Sequence, residues 1–231
     1  MGTKKQEEKS KKLWIKVLAV GLCVVVAAMM VISAMGSSWI SSLAVVKPGD
    51  VAVVDYTLND AHGNPLVTTD AQVYKQALGS GSNILYSKQL TVTANQSAAS
   101  SVYPVQVYSE GTGWSTQFAL FANEYDAISN GIVGMRVNGQ KTIPLTESKP
   151  MTQVWTAEQL EAHSVNFTAL RVGSVLALGV SSNPEAAYSN STSDYYMRLG
   201  EITNKTADDI TLDFSYPSVD VTVTSLNKAS S

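Results

Sequence analysis

Hydrophobic and polar positions change rhythm several times along this chain. Leu13–Met35 is apolar apart from Lys16 and Ser33, and about twenty such residues in a helix cross the hydrocarbon of a bilayer. This run predicts a transmembrane helix. Val51–Leu58 alternates well enough to predict a strand, and Asn59-Asp60-Ala61-His62-Gly63-Asn64-Pro65 after it is turn-forming, so the two read as a hairpin that opens a sheet. Ala71–Leu78 predicts a short helix, broken by Gly79-Ser80-Gly81-Ser82-Asn83. A polar stretch, Thr93–Ser101, leads to a strand over Val102–Tyr108. Tyr125, Ile128, Ile132 and Met135 recur at helical spacing within Asn123–Met135, and Arg136–Pro144 reads as the strand that follows. Glu158–Glu161 predicts another short helix, started by Thr156. Strands are expected over Val172–Val180, Met197–Thr203 and Ile210–Phe214, and alternating Val219, Val221 and Val223 predict a closing strand that returns to the main sheet.

Charge adds a direction to the apolar run. Lys4, Lys5, Lys9, Lys11, Lys12 and Lys16 stand before it and at its start, against Glu7 and Glu8, and a positive flank stays in the cytoplasm. The expected arrangement is a cytoplasmic basic tail over 1–12, a membrane helix over 13–35, a linker over 36–45, and everything beyond on the outside. The expected location is thus the cell membrane, crossed once. Cleavage after Gly36 is the alternative, although the apolar run is longer than a usual signal core. Past the lysine-rich start the chain carries a net charge of about −7, which argues against a nucleic-acid partner. Cys23 lies inside the apolar run, so the outer part has neither a disulfide nor a thiol nucleophile. Asn95, Asn166, Asn190 and Asn204 each open an Asn-x-Ser/Thr sequon and are candidate glycosylation sites. His62 and His163 are the only histidines; their spacing gives no metal motif, and no cofactor is expected. A serine hydrolase is disfavoured because no G-x-S-x-G elbow is present.

Two stretches carry a resemblance. Gly49-Asp50-Val51-Ala52-Val53-Val54-Asp55-Tyr56-Thr57 is similar to the "GD-x-V-x-V-x-Y" strand of FKBP-type peptidyl-prolyl isomerases. Gly131 to Pro144, with Gly134-Met135, Val137-Asn138-Gly139, Lys141 and Ile143-Pro144, is similar to that family's "GM-x-VG-x-K-x-x-IP" element. Arg171-Val172-Gly173-Ser174 and Asp208 to Pro217 resemble the entry and exit of the lobe found in the family's long subgroup, inserted in the flap. The resemblance implies an α+β fold: after the transmembrane helix, an FKBP-like antiparallel half-barrel sheet wrapped on a short helix, with an inserted, mostly-β lobe in the flap. The core would take 46–147 and 214–226, with an extra insertion near 79–112, and the lobe 148–213.

The family's chemistry needs no nucleophile. An X-Pro bond turns over a barrier of about 20 kcal/mol in tens of seconds, and an apolar pocket that strips water from the amide favours the twisted state. By resemblance that pocket would comprise Tyr56, Leu66, Val67, Tyr125, Ile128 and Ile143. Val67 stands where the family has an orienting aspartate, with Asp70 three residues on, and Leu145 to Pro150 replaces the family's "AYG". These departures imply weakened isomerase activity. Leu176, Leu178, Tyr195, Tyr196 and Met197 are candidates for the lobe's peptide-binding surface. Each of these residues also has a plain reading as core. The expected function is a membrane-anchored, extracytoplasmic FKBP-like prolyl isomerase, a folding chaperone for exported proteins, or both. Its partners would be unfolded or proline-containing polypeptides, with the membrane engaged through the N-terminal helix. The alternative is a non-catalytic cell-surface structural or interaction module that kept the fold.

Overall fold

The computed structural model describes residues 14, 16, 18, 20–31, 33, 44–109, 113–145, 151–181 and 195–228. The chain divides into two units, Met1–Ala44 and Val45–Ser231. In the first, every described residue from 14 to 33 is helical and exposed. Among the described residues no helix is long and apolar enough to cross a membrane. The transmembrane helix expected over 13–35 is therefore not upheld. The expected tail at 1–12 and most of the expected linker, 36–43, lie outside the described residues.

The second unit begins with β1, Val51–Asn59, in which Ala52, Val54, Tyr56 and Leu58 point inward and their neighbours lie half-buried. Alternation in sequence has become the two faces of a strand. A tight turn returns the chain as β2, Pro65–Thr68, with Asn59 opposite Pro65. Asp60 fixes this turn by accepting from the backbone N–H of His62 at 2.8 Å and of Asn64 at 2.7 Å. Asp70 then caps α1, Ala71–Gly79. That helix crosses over to β3, Leu85–Ser87, which lies parallel to β2. β4, Leu90–Thr93, returns to β1, and β5, Val102–Ser109, pairs with β6, Gly113–Phe121, as an antiparallel hairpin.

Helix α2, Ala122–Gly131, packs its buried Tyr125 and Ile128 against the sheet. Its last residue must be glycine, because a Cβ on Gly131 would collide with the Ile143 side chain. Ile143 belongs to β7, Gln140–Pro144, which lies beside β12, Ser218–Asn227, and β12 in turn lies beside β1. Between β7 and β12 come β8, Thr152–Thr156; α3, Ala157–Ala162; β9, Val175–Ser181; β10, Tyr195–Lys205; and β11, Asp209–Asp213. Thr156 caps α3 as the sequence suggests, its hydroxyl accepting from the Gln159 N–H.

The strands form one curled half-barrel sheet in the order β7-β12-β1-β2-β3-β5-β6-β10-β11-β8, with β4 added to β1 and β9 to β10. Two pairings are parallel, β2 with β3 and β6 with β10, so the sheet is mixed rather than purely antiparallel. Two apolar clusters lie along it. The larger gathers the inward faces of β1, β4, β5, β7 and β12 with α2. The smaller joins Leu160, Phe167, Ile202, Ile210, Leu212 and Phe214. Arg136, expected to begin the strand of Ile143, makes only an isolated bridge to Val45.

Candidate functional site

The six positions of the expected proline pocket do meet. Tyr56 comes from β1, Leu66 and Val67 from β2, Tyr125 and Ile128 from α2, and Ile143 from β7, and all belong to the larger cluster. They meet as packed core, with none more than 7% exposed. Residues from β3 and β5 pack against them. The Tyr56 hydroxyl is hydrogen-bonded to Ser87 Oγ at 2.6 Å, Tyr103 stacks on Tyr125 with ring centroids 4.9 Å apart, and Val105 and Val107 are buried in the same cluster. Burial pushes the Tyr56 phenol well above its ordinary value, with the Ser87 hydrogen bond pulling the other way. Tyr125 is also raised by burial, offset by a hydrogen bond to the backbone of Thr93.

Neither Val67 nor Asp70 supplies an orienting carboxylate here. Val67 lies opposite Leu58 and Leu85 and is fully buried. Asp70 is held elsewhere, its Oδ1 accepting from the N–H of Gln72 at 2.6 Å and of Val73 at 3.2 Å at the start of α1. Tyr56 and Leu66 each also touch a cavity, though not the same one. Tyr56 borders a polar cleft of about 700 Å³ with Asp55, Asp70, Lys141 and Asp220, and Leu66 borders one of about 260 Å³. The segment that replaces the family's "AYG" lies, past Leu145, outside the described residues.

The candidates in the second half separate. Leu176 and Leu178 pack on the smaller cluster. Leu178 also lines a cavity of about 420 Å³ with Val180, Met151, Phe121 and Phe214. Tyr195 is 71% exposed, while Tyr196 and Met197 are half-buried, with Met197 beside Phe118 where β10 meets β6. Of the sequon asparagines, Asn95, Asn166 and Asn204 are exposed. The Asn166 side chain caps a 3-10 turn by accepting from the Thr168 N–H at 3.0 Å. Asn190 lies outside the described residues.

Sequence reasoning missed the strongest polar feature. Arg198, on β10, is fully buried and grips Glu124 of α2 with two nitrogens, at 2.9 and 2.6 Å. Its remaining donors reach the carbonyls of Ala119 at 2.8 Å and Phe214 at 3.1 and 2.7 Å. All five guanidinium N–H groups are thereby satisfied, as a buried charge requires. Phe121 and Tyr216 sandwich the guanidinium at 4.1 and 4.2 Å. Glu124 also accepts from the N–H of Phe121 at 2.8 Å, so one carboxylate both caps α2 and neutralises the arginine. The signals were a glutamate in the first turn of a helix and a lone arginine inside a strand of apolar residues. With every donor engaged inside the protein, this pair holds structure together.

No family model matches this chain, and no curated protein matches it.

Proposed function

We propose that the chain is an FKBP-like module that holds extended polypeptide segments without isomerising X-Pro bonds. The observation that carries this reading is the closure of the proline site: six would-be pocket residues at most 7% exposed, and the Tyr56 hydroxyl engaged by Ser87. Isomerisation needs the amide to enter an apolar site and shed its water, and a packed core offers it no room. The binding half of the reading is supported by the smaller cluster, where Met151, Leu178 and Val180 line an apolar cavity of about 420 Å³. Beside that cavity, β8 ends the strand order, and its Val154 is 63% exposed. A strand edge with no partner among the described residues, next to an apolar hollow, suits an incoming extended chain, with main-chain bonds giving affinity and the hollow taking side chains. The exposed sequon asparagines support work on exported proteins outside the cytoplasm, which protease accessibility on intact cells tests.

The deciding experiment measures X-Pro isomerisation of a short peptide beside suppression of aggregation of an unfolded test protein. The expected result is no acceleration of the peptide and delayed aggregation, with the delay lost in Val154→Pro and Leu178→Asp. Acceleration abolished by Tyr56→Ala would overturn the reading in favour of an isomerase.

A further inference from the structure

The turn between β1 and β2 lies against β10, and there Asp60, His62 and Glu201 present one oxygen, one nitrogen and one oxygen within 4.8 Å of one another. We propose that these three side chains form a binding site for a divalent ion of the zinc class, which fastens the β1–β2 turn to β10.

Geometry carries the first part of the argument. Ligand atoms on a tetrahedral zinc with bonds of about 2.0–2.1 Å stand about 3.3 to 3.4 Å apart, and His62 Nδ1 stands 3.3 Å from Glu201 Oε1. Mixed imidazole and carboxylate donors suit zinc, cobalt or manganese better than calcium, which takes oxygen alone. Asp60 is oriented by three hydrogen bonds, from the N–H of His62, the N–H of Asn64 and Asn64 Nδ2 at 2.9 Å. A carboxylate has about four acceptor positions, so one remains for a metal while the other three hold the group still, as an outer shell does.

Electrostatics carries the second part. Asp60 is 7% and Glu201 9% exposed, so two carboxylates are largely withdrawn from water side by side. Among the described residues neither forms an ion pair with a lysine or arginine, and Glu201 has no hydrogen-bond partner outside the cluster. Among the described residues His62 is the one basic side chain paired with either carboxylate, and a divalent ion would neutralise both. The cavity of about 260 Å³ at this spot, lined also by Thr203, Asp213 and Ser215, brings a third carboxylate to the same space and leaves room for a bound water. Sequence spacing could not show this site, because Glu201 comes from a strand remote in the chain from the turn.

The test strips the whole purified chain with a chelator and titrates it with zinc chloride by calorimetry. The expected result is saturable uptake of one zinc at this site, weakened at least tenfold in His62→Ala and in Glu201→Gln and unchanged in His163→Ala. A rise in the unfolding temperature on adding zinc should vanish in the first two variants. The His62 side chain is 69% exposed, so His62→Ala leaves the fold intact and decides the matter even if Glu201→Gln is poorly folded. No saturable uptake, or uptake that survives His62→Ala, overturns the proposal.

Discussion

The two apolar clusters of the second unit use the same kinds of residue to different ends. In the larger, Val54, Tyr56, Leu58, Ile128, Val219 and Val221 are almost completely buried, and the hydroxyl of Tyr56 finds its partner inside. Each such side chain contributes about 1.5 to 3 kcal/mol by leaving water, and partly buried residues such as Leu85, Tyr103 and Val137 pack around them. The smaller cluster has six buried members and a fringe of half-exposed ones, among them Met151, Trp155, Leu176 and Leu178, beside an apolar hollow. The first region is closed by its own chain; the second ends in surface that another chain can cover. Similar residues therefore close one region and leave the other open at its edge, where the proposed capture of a peptide would take place.

The sharpest way to break this comparison is to cut the polar link beside both clusters. Arg198→Met leaves Glu124 buried without its counter-ion and should cost about 3–5 kcal/mol, read from the denaturant midpoint. Adding Glu124→Leu should recover part of that loss; a single variant with an unchanged midpoint would mean that the pair does not bind the structure together.

Truncation within each cluster sharpens the contrast. Ile128→Ala should cost about 2–5 kcal/mol because its site is fully packed. Leu178→Ala, at the edge of a hollow, should cost about 1 kcal/mol or less while weakening peptide capture. Equal losses of stability in the two variants would erase the distinction drawn here.

A pH-dependent effect appears under alkaline conditions. Tyr56 and Tyr216 are both raised by burial, and for Tyr216 the neighbouring Arg198 only partly offsets that rise. In the unfolded chain a phenol loses its proton near pH 10, whereas the folded protein keeps both. The unfolded state therefore binds fewer protons above that pH, and stability, fully present below about pH 10, falls by up to about 1.4 kcal/mol per pH unit for each tyrosine as pH rises. Tyr56→Phe should remove one share of that slope, as seen in unfolding curves taken from pH 9 to 11.

Some of this was legible in the sequence. The strand of Tyr56, the turn after it, the helix of Ile128 and the closing strand of Val219 to Val223 were readable because each buries one face, and a half-buried element writes its period into the chain. β3, β4, β6 and β8 were not read. β3 is only three residues long, and the exposed Thr152, Gln153 and Val154 of β8 carry no alternation. The helix expected over 13–35 followed from hydropathy alone, and among the described residues no helix is long and apolar enough to cross a membrane.

By itself the sequence determined which residues turn inward, since transfer from water depends on side-chain type and local period. Tertiary structure alone decided what those residues face. It set Tyr103 and Ser87 against the would-be proline site, Arg198 against Glu124, and Glu201 against Asp60 and His62. The reason is physical: whether a pocket is open, and whether a buried charge is neutralised, depends on atoms a few ångströms away in space that come from distant parts of the chain.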